Sequence, residues 1–385
     1  MQLLQRHLYA IIYSAVFVLL LIGVIAYSGW TYIFSLTLYF YVPFLLFYFT
    51  LDRFSFSLPD FKISTRYTVP FLASTALAIA LSHFLILNEI PALSAIMMSL
   101  QSEINEVRSS IDVKTSGVFQ YLISWNIKAI VPFLLFYFAF KKQWKLFAFF
   151  AIFGSFLAVA MMQKSFIIWI WSPTIILLLS RKKWLWILSL GVFVLCVLFF
   201  QVWISNARLR GGINDVSSVT NSQSGTSSEI SGSLVRRVLL VPGQMVSEWY
   251  RIIPDEKPFL YGRDFSLYCK ITGKKQADYA TELYPLVYPN YAERGLTGSV
   301  NVAHFMRTYS NFGPWGFPLA ALLLSLLIFF MNNLLDEKTR SIGYCFNIFP
   351  LLLLNSGAIM TMFLSAGWGL IFVLLWIHKK DFVND

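Results

Sequence analysis

The chain has 385 residues, 57% of them hydrophobic and 18% aromatic, with 37 Phe; this excludes an ordinary soluble domain and fits helices that meet lipid through aromatic rings. A formal net charge of +11 is of the sign that nucleic acid attracts, but fourteen of the thirty Lys and Arg sit in short clusters at the ends of apolar runs, so no nucleic-acid partner is expected. The three cysteines are too few for a disulfide framework: Cys196 and Cys345 fall inside apolar runs, and Cys269 is expected as a free thiol.

About 20 apolar residues of helix cross a hydrocarbon core of about 30 Å. Runs that qualify lie near 8–28, 32–51, 68–88, 118–140, 145–162, 165–180, 184–204, 314–334, 342–357 and 359–377, which predicts ten spans. The first run is long enough to span and lacks the small-residue cleavage site of a signal peptide. The runs at 165–180 and 342–357 are short, and Pro173 and Pro350 are expected to kink them. An all-α polytopic membrane protein follows. Residues 1–204 form the first seven transmembrane helices, 205–313 one large polar loop, and 314–385 the last three helices with the C-terminal tail.

Orientation is read from the short loops. One set carries Arg6, Arg53, Lys62, Arg66, Lys141, Lys142, Lys145, Arg181, Lys182, Lys183, Lys338, Arg340, Lys379 and Lys380; the opposite set carries only Arg108, Lys114 and Lys164. Both termini are therefore expected in the cytoplasm and the large loop outside, in the periplasm of a cell with an outer membrane.

The large loop holds the chemistry. It opens on Asn206-Ala-Arg-Leu-Arg-Gly-Gly, with Arg208 and Arg210, and runs through a Ser/Thr/Asn/Gln/Gly stretch at 214–232 expected to be a linker. The segment Arg236-Arg237-Val238-Leu239-Leu240-Val241-Pro242-Gly243, continuing to Trp249, Tyr250 and Arg251, is amphipathic and too short to span. It is expected to lie in the headgroup layer or to re-enter it. Arginines placed there grip phosphate through paired N–H donors, or else anchor the helix to anionic lipid. Tyr261, Tyr268, Tyr279, Tyr284 and Tyr288 would face a glycan as a group, or fill the core of a small cap.

The loop closes on His304-Phe-Met-Arg-Thr-Tyr-Ser-Asn-Phe-Gly-Pro-Trp-Gly316. Helical spacing puts His304, Arg307 and Asn311 on one face. His304 is the expected general base and Arg307 the expected stabiliser of a departing phosphate. Gly313 and Gly316 would allow close backbone approach. Elsewhere, Lys128 lies within the fourth span and Arg108 in the outer loop 89–117, both candidates for substrate binding. Walker, zinc-type Cys/His, HExxH and nucleophile-elbow motifs are absent, so neither metal nor cofactor is expected.

The spans, the single large loop, the Arg236–Gly243 segment and the Asn311-Phe-Gly-Pro-Trp-Gly316 entry into a late span resemble the Wzy-type O-antigen (oligosaccharide repeat-unit) polymerases. Arg251, followed after ten residues by Gly262, is similar to the Arg-x10-Gly pattern of that family. The topological resemblance covers the whole chain and the motif-level match about 236–316. It implies a fold like the glycosyltransferase-C and O-antigen ligase enzymes, in the bacterial inner membrane. It also implies metal-independent transfer of a growing glycan from undecaprenyl pyrophosphate onto the non-reducing end of a new lipid-linked unit.

The resemblance further implies that the protein works beside membrane lipid and with a chain-length regulator and a flippase of the same pathway. On this reading His304, Arg307 and Arg237 are catalytic, and Arg236, Tyr250, Arg251, Asn311, Arg208, Arg210, Lys128 and Arg108 bind pyrophosphate or glycan. Two alternatives stay open: an O-antigen ligase, whose loop ending in a His and a later Asn and Gly resembles His304 to Gly316, and a non-enzymatic lipid-linked oligosaccharide flippase.

Overall fold

The structure, a computed structural model, describes residues 5–56, 58–59, 65–115, 117–206, 236–293, 295, 298–337 and 339–383. Arg208, Arg210 and the 214–232 stretch lie outside the described residues. Among the described residues there is no β-strand, and six helices are long and apolar enough to cross a bilayer. This matches a polytopic membrane protein. The six are α1 (Leu8–Ser28), α2 (Ile33–Leu51), α3 (Thr65–Leu87), α6 (Val118–Phe140), α9 (Trp184–Ile204) and the helical stretch His304–Leu334.

The other elements are shorter. Helices α4 (Pro91–Met97) and α5 (Gln101–Lys114) occupy the 89–117 segment. Helices α7 (Trp144–Ala160) and α8 (Lys164–Ser180) are apolar but only 17 residues each. The loop contains α10 (Val241–Ile252) and α11 (Ser266–Thr272). Near its end, α12 (His304–Phe312) turns through Gly313–Trp315 into α13 (Gly316–Leu334). Helix α14 (Arg340–Leu353) has 14 residues with Pro350 inside. The run expected over 359–377 is broken: a wide turn at Thr361–Ser365 and Gly367, at φ +76°, precede α15 (Trp368–Ile377).

The chain packs as two compact units, each made of separate pieces: Met1–Ser57, Ser222–Asn333 and Pro350–Thr361 in the first; Leu58–Asn221, Leu334–Phe349 and Met362–Asp385 in the second. Each contains the same octapeptide, Val-Pro-Phe-Leu-Leu-Phe-Tyr-Phe, at 42–49 and at 131–138. Both copies follow a π-helical turn, Thr37–Tyr41 in one and Asn126–Ile130 in the other. The reason is local. Pro43 and Pro132 lack an N–H to close the helix, and the wider turn absorbs the missing bond. The tyrosines of both copies meet a histidine edge-on, Tyr48 with His7 and Tyr137 with His378.

In the second unit α6 forms the core, its Val131–Phe140 stretch buried throughout. The hairpins from α6 to α9 turn at Lys142, Met162 and Lys182, all at positive φ between 53° and 56°. In the first unit α1 and α2 pack through Phe17, Phe40 and Phe44, and the loop folds back onto α1.

Candidate functional site

The loop's basic segment is held on α1 by a glycine-on-glycine crossing. A Cβ added at Gly23 would sit 2.6 Å from the Leu239 carbonyl, and one added at Gly243 would sit 2.6 Å from the Gly23 Cα. Gly23 lies five residues before the end of α1, about 7.5 Å along the helix. The Arg236–Leu240 turn and the start of α10 therefore pack alongside α1 below its end. Further along, Ser247 Oγ meets Ser28 Oγ at 2.9 Å. Next to that contact stands the buried Glu248, which accepts a hydrogen bond from the half-exposed Tyr27 hydroxyl. Arg251 donates to Glu248 at 2.9 Å and to Glu256 at 2.7 Å. Arg236 is exposed at the opposite end of the segment. The Arg237 side chain lies outside the described residues.

Beside this segment runs an aromatic column. The Tyr250 ring stacks on Tyr32 at 4.6 Å and 5°, and also meets Tyr309 at 4.9 Å and Phe317 at 5.8 Å. Burial, and then the neighbouring Tyr309, Tyr32 and Tyr39 hydroxyls, raise the Tyr250 phenol pKa, so it stays a neutral donor. Replacing Tyr250 with Ala should cost about 2–3 kcal/mol, below the value for a fully buried ring because Tyr250 keeps some exposure. Tyr250→Phe should be near neutral in stability. Thermal unfolding in detergent separates the two.

Helix α12 positions three candidates with three different neighbours. His304, 4% exposed, turns into the first unit's interior. Its Nε2 shares a 2.7 Å hydrogen bond with the Tyr13 hydroxyl, and its ring meets Phe40 edge-on. Arg307 faces the cap, the short-helix part of the loop at residues 258–293, pairing with Asp264 at 3.4 Å and Asp278 at 3.5 Å. Burial raises the Asp264 carboxyl pKa, and Asp278 adds to this; Arg307 and a hydrogen bond from Asn311 oppose it. Asn311, fully buried, accepts the Gly262 N–H at 3.1 Å and donates to the Arg307 carbonyl at 2.8 Å. Helical spacing thus aligns the three, but His304 is sealed from the surface that Arg307 reaches.

The same corner explains the glycines. Gly262, at φ +87°, turns the chain so that Leu260 and Tyr261 donate to the carbonyls of Ser310 and Asn311. A Cβ at Gly313 would press on Phe259, and one at Gly316 on the Thr308 carbonyl. Asn311→Leu should leave the Gly262 N–H without an acceptor and cost about 1–3 kcal/mol, read as a lower melting temperature. Asn311→Asp should keep that acceptor and lose less.

Lys128 and Arg108 belong to the second unit. Lys128 lies in the π-helical turn of α6 with its Nζ 5.5 Å from the Phe166 ring centre and 6.0 Å from that of Trp169. Arg108 is exposed on α5. The cap tyrosines divide: Tyr279 is buried and donates to the Pro258 carbonyl, whereas Tyr261 is 66% exposed. Cys269 is a buried free thiol.

Tyr13, Tyr27, Tyr32, Glu248 and Asp264 escaped the sequence reasoning. Only Glu248 carried a signal, its spacing of three from Arg251. The others become partners through contacts far apart in sequence. Comparison with protein-family models, curated proteins and solved structures found no match to this chain.

Proposed function

We propose that the chain is a Wzy-type repeat-unit polymerase, acting in the bacterial inner membrane with both termini cytoplasmic and the large loop periplasmic. It joins oligosaccharides carried on undecaprenyl pyrophosphate. The bond between the growing glycan's anomeric carbon and its pyrophosphate breaks, and undecaprenyl pyrophosphate leaves with the electron pair. A hydroxyl at the non-reducing end of the new unit bonds to that carbon and gives up its proton.

The observation that carries this proposal is the basic segment locked onto α1 by Gly23 and Gly243, with exposed Arg236 at one end and the Tyr27–Glu248–Arg251 cluster at the other. On this reading the segment, packed beside the last turns of α1, lies within reach of a lipid-borne pyrophosphate. Arg236, with Arg237 beside it in sequence, stabilises the charge on the departing pyrophosphate. Glu248 takes the acceptor proton at the position the Tyr27 hydroxyl now fills. Tyr250 holds the segment against Tyr32, Tyr309 and Phe317, and the exposed Tyr261 offers a ring face for sugar stacking.

His304, expected from sequence as the base, is enclosed against Tyr13 and serves to position α12. Arg307 is tied to two carboxylates and fastens the cap to α12. The experiment is gel analysis of surface glycan from a strain lacking this chain, complemented with wild type or Arg236→Ala. Long chains restored by wild type and lost with Arg236→Ala, at equal protein level, support the proposal. Polymer that is made but stays on the lipid carrier when the chain is missing points to a ligase. Glycan unchanged by loss of the chain refutes both.

A further inference from the structure

Within the second unit, α7, α8 and α9 line a half-open cavity of about 460 Å³. Its walls are almost wholly apolar, with Phe147, Ala151 and Phe193 among them, and its rim is basic, formed by Lys142, Arg181 and Lys183. No ion pair engages these three cations among the described residues; Arg181 lies over the Phe140 ring at 4.6 Å. Lys142 holds a positive φ of 56° in its hairpin, where glycine or asparagine would sit with less strain. Trp144 and Trp186 stack at 5.2 Å and 7° beside the rim. A tryptophan pair at the mouth of an apolar cavity marks the level of lipid headgroups.

Two wall residues carry polar atoms that remain unsatisfied. Trp171 Nε1 and Thr174 Oγ1 are buried with no hydrogen-bond partner, although each residue is only 1% exposed. Thr174 lies seven residues in from Arg181, about 10 Å along α8. That depth is on the scale of the interfacial layer of a bilayer. An occupant that meets these features has an anionic phosphate for the rim, a hydrogen-bond acceptor deeper along α8 at Thr174, and an apolar tail for the walls.

We propose that this cavity is a specific site for an anionic diacyl glycerophospholipid. Its phosphate rests on Lys142, Arg181 and Lys183, its ester carbonyl meets Thr174, and one acyl chain fills the space lined by α7, α8 and α9. The ester separates it from a polyprenyl phosphate, whose hydrocarbon tail brings no acceptor to the wall. The site is independent of the proposed glycosyl transfer, since none of its residues belongs to the first unit.

The test is native mass spectrometry of the purified full-length protein titrated in detergent with dioleoyl phosphatidylglycerol, dioleoyl phosphatidylcholine or a polyprenyl monophosphate. Wild type should retain phosphatidylglycerol at least about tenfold more tightly than phosphatidylcholine, given what basic residues contribute beside anionic headgroups. The combined K142Q, R181Q and K183Q substitutions, all on exposed side chains, should erase that preference. Thr174→Val should weaken phosphatidylglycerol binding severalfold. Ala151→Trp should block the cavity and bring retention to the same low level even if the rim is intact. Equal retention of the two phospholipids by wild type, or a preference untouched by the rim substitutions, overturns the proposal. Tighter binding of the polyprenyl phosphate than of phosphatidylglycerol overturns the diacyl assignment.

Discussion

Glu248→Gln should abolish chain extension while leaving the protein inserted and folded. Glu248 is 6% exposed, touches the Tyr27 hydroxyl and is held by Arg251. A glutamine fills the same space and still accepts from Tyr27, and Arg251 keeps Glu256. The structural cost is therefore small, about 1 kcal/mol. What disappears is the group able to take a proton, and a positioned general base contributes about 10²–10⁴ in rate. A fall of that size in polymer formed per protein, with the melting temperature lowered by no more than about 4 °C, is the expected result. Wild-type rates with Glu248→Gln, together with loss in His304→Gln at equal stability, would return the proton to His304.

The second large effect is steric. Gly23→Leu should detach the basic segment from α1. The first added carbon would already stand 2.6 Å from the Leu239 carbonyl and 3.0 Å from that of Leu240. These obstacles are backbone, so no side chain can swing aside. Overpacking costs about 1–3 kcal/mol where neighbours yield, and a leucine here asks for more. A cysteine pair reads the geometry directly. Ser28→Cys with Ser247→Cys should crosslink readily, because the native hydroxyl oxygens lie 2.9 Å apart. Adding Gly23→Leu should abolish the crosslink and long-chain glycan together. A crosslink that survives Gly23→Leu would show that the packing of α10 on α1 does not depend on this crossing.

How far the sequence reaches is clearest in the octapeptide. Hydropathy identifies both copies as apolar helix. Burial does not follow from it: Val42, Leu46 and Phe49 are 39%, 63% and 55% exposed, whereas Val131, Leu135 and Phe138 are at 0%, 0% and 2%. Lipid and protein interior are alike to an apolar side chain, so identical residues serve a bilayer-facing helix and a fully enclosed one. Hydropathy marked the runs at 145–162 and 165–180 as well, and these are the 17-residue apolar helices α7 and α8.

The candidate site divides along similar lines. The amphipathic character of Val241–Ile252 was visible in the spacing of its residues, and so was the alignment of His304, Arg307 and Asn311. That Asn311 caps Gly262, or that His304 turns to Tyr13, 291 residues away in sequence, depends on tertiary contacts that local patterns do not encode. Lys128 was conspicuous as a charge within a span, and it rests against aromatic rings of α8 in the second unit.

The most direct measurement reconstitutes the purified protein in proteoliposomes with a single repeat unit on undecaprenyl pyrophosphate. The account predicts a ladder of products at whole-number multiples of the repeat. One undecaprenyl pyrophosphate should be released per bond formed, and the ladder should be absent with Arg236→Ala or Glu248→Gln. Repeat units that stay single in the presence of folded wild-type protein would contradict it.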